Sequence, residues 1–145
     1  MVGFGEELTA NEERIDGETP FKFDEYLEFK DVKFSYEPKT SILSGVNIFL
    51  RKGEMLGGVG KSGAGKTTIA DLLLRLVKPL GGSITLDGTD ILRINMREWR
   101  KNISYVVQDM FVFNDTIENN IKFYEDTISD ADIRRVANEA YIYDF

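Results

Sequence analysis

The chain has 145 residues, 42% of them hydrophobic and 30% charged, the balance of a globular domain with a core of its own. It contains no cysteine and no histidine, so disulfides, thiolate chemistry, His-ligated metal centres and Ser–His–Asp hydrolysis are excluded. The net charge is −7, no basic stripe marks it for nucleic acid, and no apolar run approaches the roughly 20 residues that span a bilayer.

The acidity is concentrated at the start. Residues 1–31 carry ten Asp/Glu against three Lys/Arg, and the remainder is balanced. Residues 1–26 read as an acidic linker or arm, with Thr19-Pro20 marking an extended entry. From Leu27 to Tyr36 apolar and polar residues alternate, the pattern of a half-buried strand. Glu37-Pro38-Lys39-Thr40 is a turn. A second strand over Val46–Leu50 closes at Arg51-Lys52-Gly53, so a small antiparallel β-subdomain is expected first. Glu54–Val59 is expected as the strand that delivers the chain into a glycine-rich loop, although Gly57-Gly58 weakens it.

That loop is Gly60-Lys61-Ser62-Gly63-Ala64-Gly65-Lys66-Thr67, a complete phosphate-binding pattern. Its glycines allow a tight turn that presents successive N–H groups to phosphate oxygens. Lys66 can reach the terminal phosphates, and Thr67 can offer a hydroxyl to Mg²⁺. A helix from Thr67 to about Val77 points its positive end at the same anion and stops before Lys78-Pro79. Ser83–Asp87 is a strand ending in an Asp87-Gly88 turn. Asn95–Lys101 is a short basic helix with Trp99 on its apolar side, and Ile103–Val107 is another strand. A short helix over Thr116–Phe123 is capped by Asp115 or Thr116, and a last helix opens at Ser129-Asp130-Ala131-Asp132. The fold class is therefore α/β, a partial P-loop NTPase core behind a small antiparallel β-subdomain.

Residue types alone leave several roles open. Tyr36 can stack on a base through its π face or simply pack at a strand edge. Gln108 can place an amide oxygen near Mg²⁺ and an attacking water, or cap the next segment. Asp87 and Asp109 both follow apolar runs. Asp87 reads as a hairpin turn, and Asp109 has no acidic neighbour to act as a base.

Together these residues resemble the nucleotide-binding domain of ATP-binding cassette transporters, particularly the exporter type. Tyr36 resembles that family's adenine-stacking aromatic, and Gly60 to Thr68 its phosphate loop. Gly82 to Ile91 resembles the hairpin that follows, and Gln108 the loop glutamine near the metal. Phe111 to Ile121, with Thr116-Ile117-Glu118-Asn119, resembles the exporter-type stretch beyond it. The likeness covers residues 27–145. It implies ATP and Mg²⁺ as ligands, with Tyr36, Gly60, Lys61, Ser62, Gly63, Ala64, Gly65, Lys66, Thr67 and Thr68 binding the nucleotide. Thr67 and Gln108 are then the metal-side residues, and Lys66 and Gln108 the catalytic ones. It also implies a second nucleotide-binding domain and a transmembrane subunit or domain as partners, at the cytoplasmic face of a membrane. The family's Leu-Ser-Gly-Gly-Gln signature, metal-binding aspartate with adjacent glutamate, and switch histidine are not found. Leu43-Ser44-Gly45 only begins like the signature. The resemblance thus implies the N-terminal half of a cassette domain that binds ATP and hydrolyses poorly by itself. The alternative is a truncated, non-hydrolytic nucleotide-binding or interaction module. Strands flanking Met55–Val59 are expected from sequence beyond Phe145, which leaves that strand with unpaired edges and the chain marginally stable or self-associating.

Overall fold

A computed structural model describes residues 17–38, 40–107, 111–123, 125 and 127–142. The chain divides into two compact units, with the boundary between Ser104 and Tyr105.

The first unit is built on a four-stranded antiparallel sheet in the order β2-β1-β3-β4. The strands are β1 (Tyr26–Phe34), β2 (Leu43–Arg51), β3 (Gly81–Leu86) and β4 (Thr89–Asp90). In β1 both Phe29 and Val32 are buried, three residues apart, although a regular strand alternates every two. The chain solves this with a bulge. Phe29 pairs with Ile48, the register shifts, and Val32 pairs with Val46. Asp31 takes the left-handed conformation at φ 49°, and its N–H is accepted by Asn47 Oδ1 at 3.0 Å. Gly82 lies across from the bulge at φ 76°, where a Cβ would sit 2.3 Å from the carbonyl oxygens of Lys30 and Asp31. No residue but glycine fits there.

Helix α1 (Lys66–Leu73) follows the glycine-rich loop and buries Leu72 and Thr68. It is shorter than the expected reach to Val77. Arg75 turns left-handed at φ 56° and sends its guanidinium to the carbonyls of Ile94 and Leu92, at 2.7 and 3.3 Å. The chain leaves the helix to make those bonds, before the proline at 79 has any say. A 3₁₀ turn (Ile91–Arg93) leads into α2 (Met96–Lys101), capped by Asn95, whose side chain accepts the N–H groups of Arg97 and Glu98. Phe29, Val32, Phe34, Leu72, Ile84 and Trp99 are among the buried core of this unit. The indole N–H of Trp99 donates to the Leu73 carbonyl at 2.7 Å and so closes the C-terminus of α1.

Two expected strands are not formed. Residues 54–60 and 103–107 pair with no other described strand, and Met55, Val59 and Val106 are 97%, 99% and 81% exposed. A strand requires a second backbone to take its N–H and C=O groups, and apolar composition cannot substitute for one.

The described part of the acidic arm is tied down. Thr19 bridges Ile94, Phe21 donates its N–H to Glu98 Oε2 at 2.7 Å, and its ring lies 5.8 Å from that of Trp99. Asp87, left-handed at φ 48° in the β3–β4 turn, accepts the N–H groups of Asp24, Glu25 and Tyr26 at 2.6, 2.9 and 2.7 Å. Partial burial pushes the Asp87 carboxyl up, but the three N–H bonds outweigh it and hold its pKa below the ordinary 3.8. The stabilisation is therefore complete above that value and is lost as the pH falls through the lower, folded one. Asp87→Asn keeps a residue that tolerates the left-handed turn but offers one acceptor oxygen to three donors. It is expected to lower stability to urea by about 1–2 kcal/mol at pH 7, with the gap to the parent chain narrowing as the pH falls below the ordinary 3.8.

In the second unit, α3 (Ile117–Lys122) is capped by Thr116 and α4 (Asp130–Glu139) by Ser129, each side chain accepting an N–H three residues on. Lys122 joins them, 2.6 Å from Glu118 and 3.3 Å from Asp130. Asn120 knots the preceding loop, accepting the Phe113 N–H and donating to the carbonyls of Phe113 and Thr116. An open cleft of about 250 Å³ between α3 and α4, with Ile117, Ile121, Ile133 and Ala137 in its wall, contains none of the phosphate-loop residues.

Candidate phosphate-binding site

The glycine-rich loop earns its residue types from the backbone it adopts. Gly63 and Gly65 lie at φ 80° and 85°. Gly65 is also buried, and a Cβ on it would come within 2.7 Å of Leu43 Cδ2. Leu43 is only 3% exposed and begins β2, so Leu43-Ser44-Gly45 is a strand start that backs the loop. Gly65 is the residue before α1, and no side chain caps the helix. The helical ladder begins with Ile69 N–H to Gly65 C=O at 3.1 Å. The N–H groups of Lys66, Thr67 and Thr68 precede it and, with no side-chain cap and no acidic residue in the first turn, are the groups a helix start offers to an anion.

Lys66 folds back over the loop. Its ammonium donates to the carbonyls of Gly60 and Lys61 at 2.7 and 2.9 Å. An ammonium has three protons, so one remains for an anion resting in the loop. Ala64 donates its N–H to the Lys61 carbonyl at 3.2 Å, which keeps the turn closed over Ser62 and Gly63. Thr67 is exposed at the loop–helix junction. Thr68 is 4% exposed, and its hydroxyl lies 3.4 Å from the Tyr36 hydroxyl. Its side chain is thus packed beneath the site, and its backbone N–H is the group left for a phosphate.

Tyr36 belongs to the same neighbourhood. Its ring packs edge-to-face on buried Phe34, centroids 4.8 Å apart at 86°, and stays 58% exposed. Its hydroxyl donates to Asp71 Oδ2 at 2.8 Å, one turn along α1 from the loop. The structure therefore brings Tyr36, the loop Gly60–Thr67 and Thr68 to one place. Gln108 lies outside the described residues, as does Asp109. Asp87 is engaged with the arm and is no part of the site. Asp71 was not singled out in the sequence. It lies 35 residues from Tyr36, and its only sequence signal is the i, i+3 spacing that puts it on the face of Thr68.

A family profile described as ABC transporter matches residues 43–145. The chain belongs to that family. It is 40% identical over 131 residues to the human ATP-binding cassette sub-family B member 5, covering 89% of this chain and 10% of that protein. It is 44% identical over 126 residues to the ATP-dependent lipid A-core flippase of Desulfotalea psychrophila, covering 87% of this chain and 22% of that one. Among solved structures, a bacterial Atm1-family ABC exporter with ATP bound superposes with a TM-score of 0.83 at 34% identity, over 97% of this chain and 26% of the exporter. The mixed α/β fold of this ABC chain is that of an exporter's nucleotide-binding domain. The chain spans about a tenth to a quarter of the length of these relatives. No helix among the described residues is long and apolar enough to cross a membrane.

Proposed function

We propose that this chain binds Mg·ATP as the nucleotide-binding part of an ABC exporter, in which ATP binding and hydrolysis drive transport. The observation that carries the reading is the fixed juxtaposition of Tyr36 with the phosphate loop through α1. A phosphate loop alone accepts any polyphosphate. An aromatic platform held beside it adds a surface for a base.

The residues divide the task by chemistry. The N–H groups of Gly63, Gly65, Lys66, Thr67 and Thr68 and the ammonium of Lys66 take the phosphates. The Thr67 hydroxyl and the Gln108 amide oxygen would hold Mg²⁺, which when bound would neutralise charge on the phosphates. Hydrolysis would draw on Lys66 and Gln108 of this chain together with groups from the rest of the transporter. The partners are then a second nucleotide-binding domain and the membrane-spanning part, and the location is the cytoplasmic face of a membrane. The exposed apolar side chains of Met55, Leu56, Val59, Tyr105, Val106 and Val107 are ones that such an assembly would cover.

Base recognition separates this reading from a general polyphosphate site. Tyr36→Ala is expected to weaken Mg·ATP by about tenfold or more, from the roughly 1–3 kcal/mol of one base–aromatic stack, and to leave inorganic triphosphate unchanged. Competition of both ligands against a fluorescent nucleotide measures it, and equal losses for the two would sink the stacking role.

A further inference from the structure

A carboxylate so close to a triphosphate site is electrostatically adverse. Asp71 lies on the second turn of α1, whose N-terminus is the anion-binding end, and a negative charge there opposes a bound polyphosphate. Its carboxylate oxygen Oδ2 accepts from the Tyr36 hydroxyl, at 2.8 Å. A phenol donating to an ionised carboxylate is among the stronger neutral-to-charged bonds. The ring is gripped at its other end by Phe34, which is 6% exposed and held by the core.

We propose that Asp71 is a positioning residue for base recognition: it holds the Tyr36 ring at a set height above the phosphate loop. This rests on the nucleotide-binding reading above. A tyrosine that is 58% exposed on a surface turn would otherwise sample several rotamers and lose affinity to ordering on each binding event. With its tip bonded to Asp71, the platform and the phosphate site are carried by one helix. The distance between base and phosphates is then built into α1, and the chain selects nucleoside triphosphates over bare polyphosphate.

The test is the ratio of affinities for Mg·ATP and inorganic triphosphate, measured on the full chain. Asp71→Ala and Tyr36→Phe each remove the bond and are expected to lower the ratio about fivefold. Asp71→Asn keeps an acceptor oxygen and drops the charge. It is expected to hold the ratio near that of the parent while tightening triphosphate and ATP alike. The double variant Tyr36→Phe/Asp71→Ala is expected to be no worse than either single one. A purely structural role for Asp71 would weaken both ligands equally and leave the ratio unmoved, which overturns the proposal. So would an Asp71→Asn chain as impaired as Asp71→Ala, or losses that add in the double variant. Tyr36→Ala separates the levels. If it lowers the ratio and Asp71→Ala does not, the positioning role alone falls. If Tyr36→Ala leaves the ratio unchanged, base stacking falls and Asp71 with it.

Discussion

Trp99→Ala will destabilise the first unit by about 3–5 kcal/mol, the range for emptying a buried tryptophan site. The side chain is 2% exposed, sits in the core with Leu72 and Ile84, and meets Phe21 of the arm. Its loss also leaves the Leu73 carbonyl without the indole donor that closes α1. Domains of this size are stable by only about 5–15 kcal/mol, so the variant forfeits a third or more of that margin. Trp99→Phe separates the two contributions. It fills most of the volume and removes only the N–H, and should cost about 1–3 kcal/mol for the stranded carbonyl. Because Trp99 is the only tryptophan, its fluorescence follows unfolding in the parent chain, and far-UV circular dichroism in urea must follow it in the variants. The effect reaches the site as well. The helix that Trp99 closes at one end presents the phosphate loop at the other.

The elements that could be read from the sequence are those with local causes. Asn95, Thr116 and Ser129 each precede a helix and each accepts an N–H from its first turn. The Asp87-Gly88 pair makes the two-residue turn its types call for, with both residues at positive φ. The phosphate loop is legible for the same reason, since glycine, lysine and hydroxyl occupy adjacent positions. Features with distant causes were hidden. The β1 bulge depends on Gly82 and Asn47 across two different strands. The early end of α1 depends on carbonyls nearly twenty residues beyond Arg75. Met55–Val59 and Ile103–Val107 look like strands because they are apolar, yet pairing is a property of two segments. The bond from Tyr36 to Asp71, and the three N–H groups gathered by Asp87, likewise exist only once the sheet has brought distant residues together.

Lys66→Ala has the largest expected effect on ligand binding. Its ammonium lies over the loop on the Gly60 and Lys61 carbonyls, where it holds a full positive charge for a triphosphate in the turn. Removing a charged partner of a phosphate costs about 2–5 kcal/mol, which is roughly 30-fold to several thousandfold in affinity. Stability should hardly change, because the side chain is exposed and its two bonds lie within the loop. An unfolding curve like the parent's, beside lost binding, distinguishes a ligand contact from a structural one.

Calorimetric titration of Mg·ATP into the full chain and into Lys66→Ala tests the central claim most directly. The account predicts saturable one-to-one binding by the parent and at least about thirtyfold weaker binding by the variant at unchanged fold. Equal binding by the two, or no saturable binding by a folded parent, would contradict it.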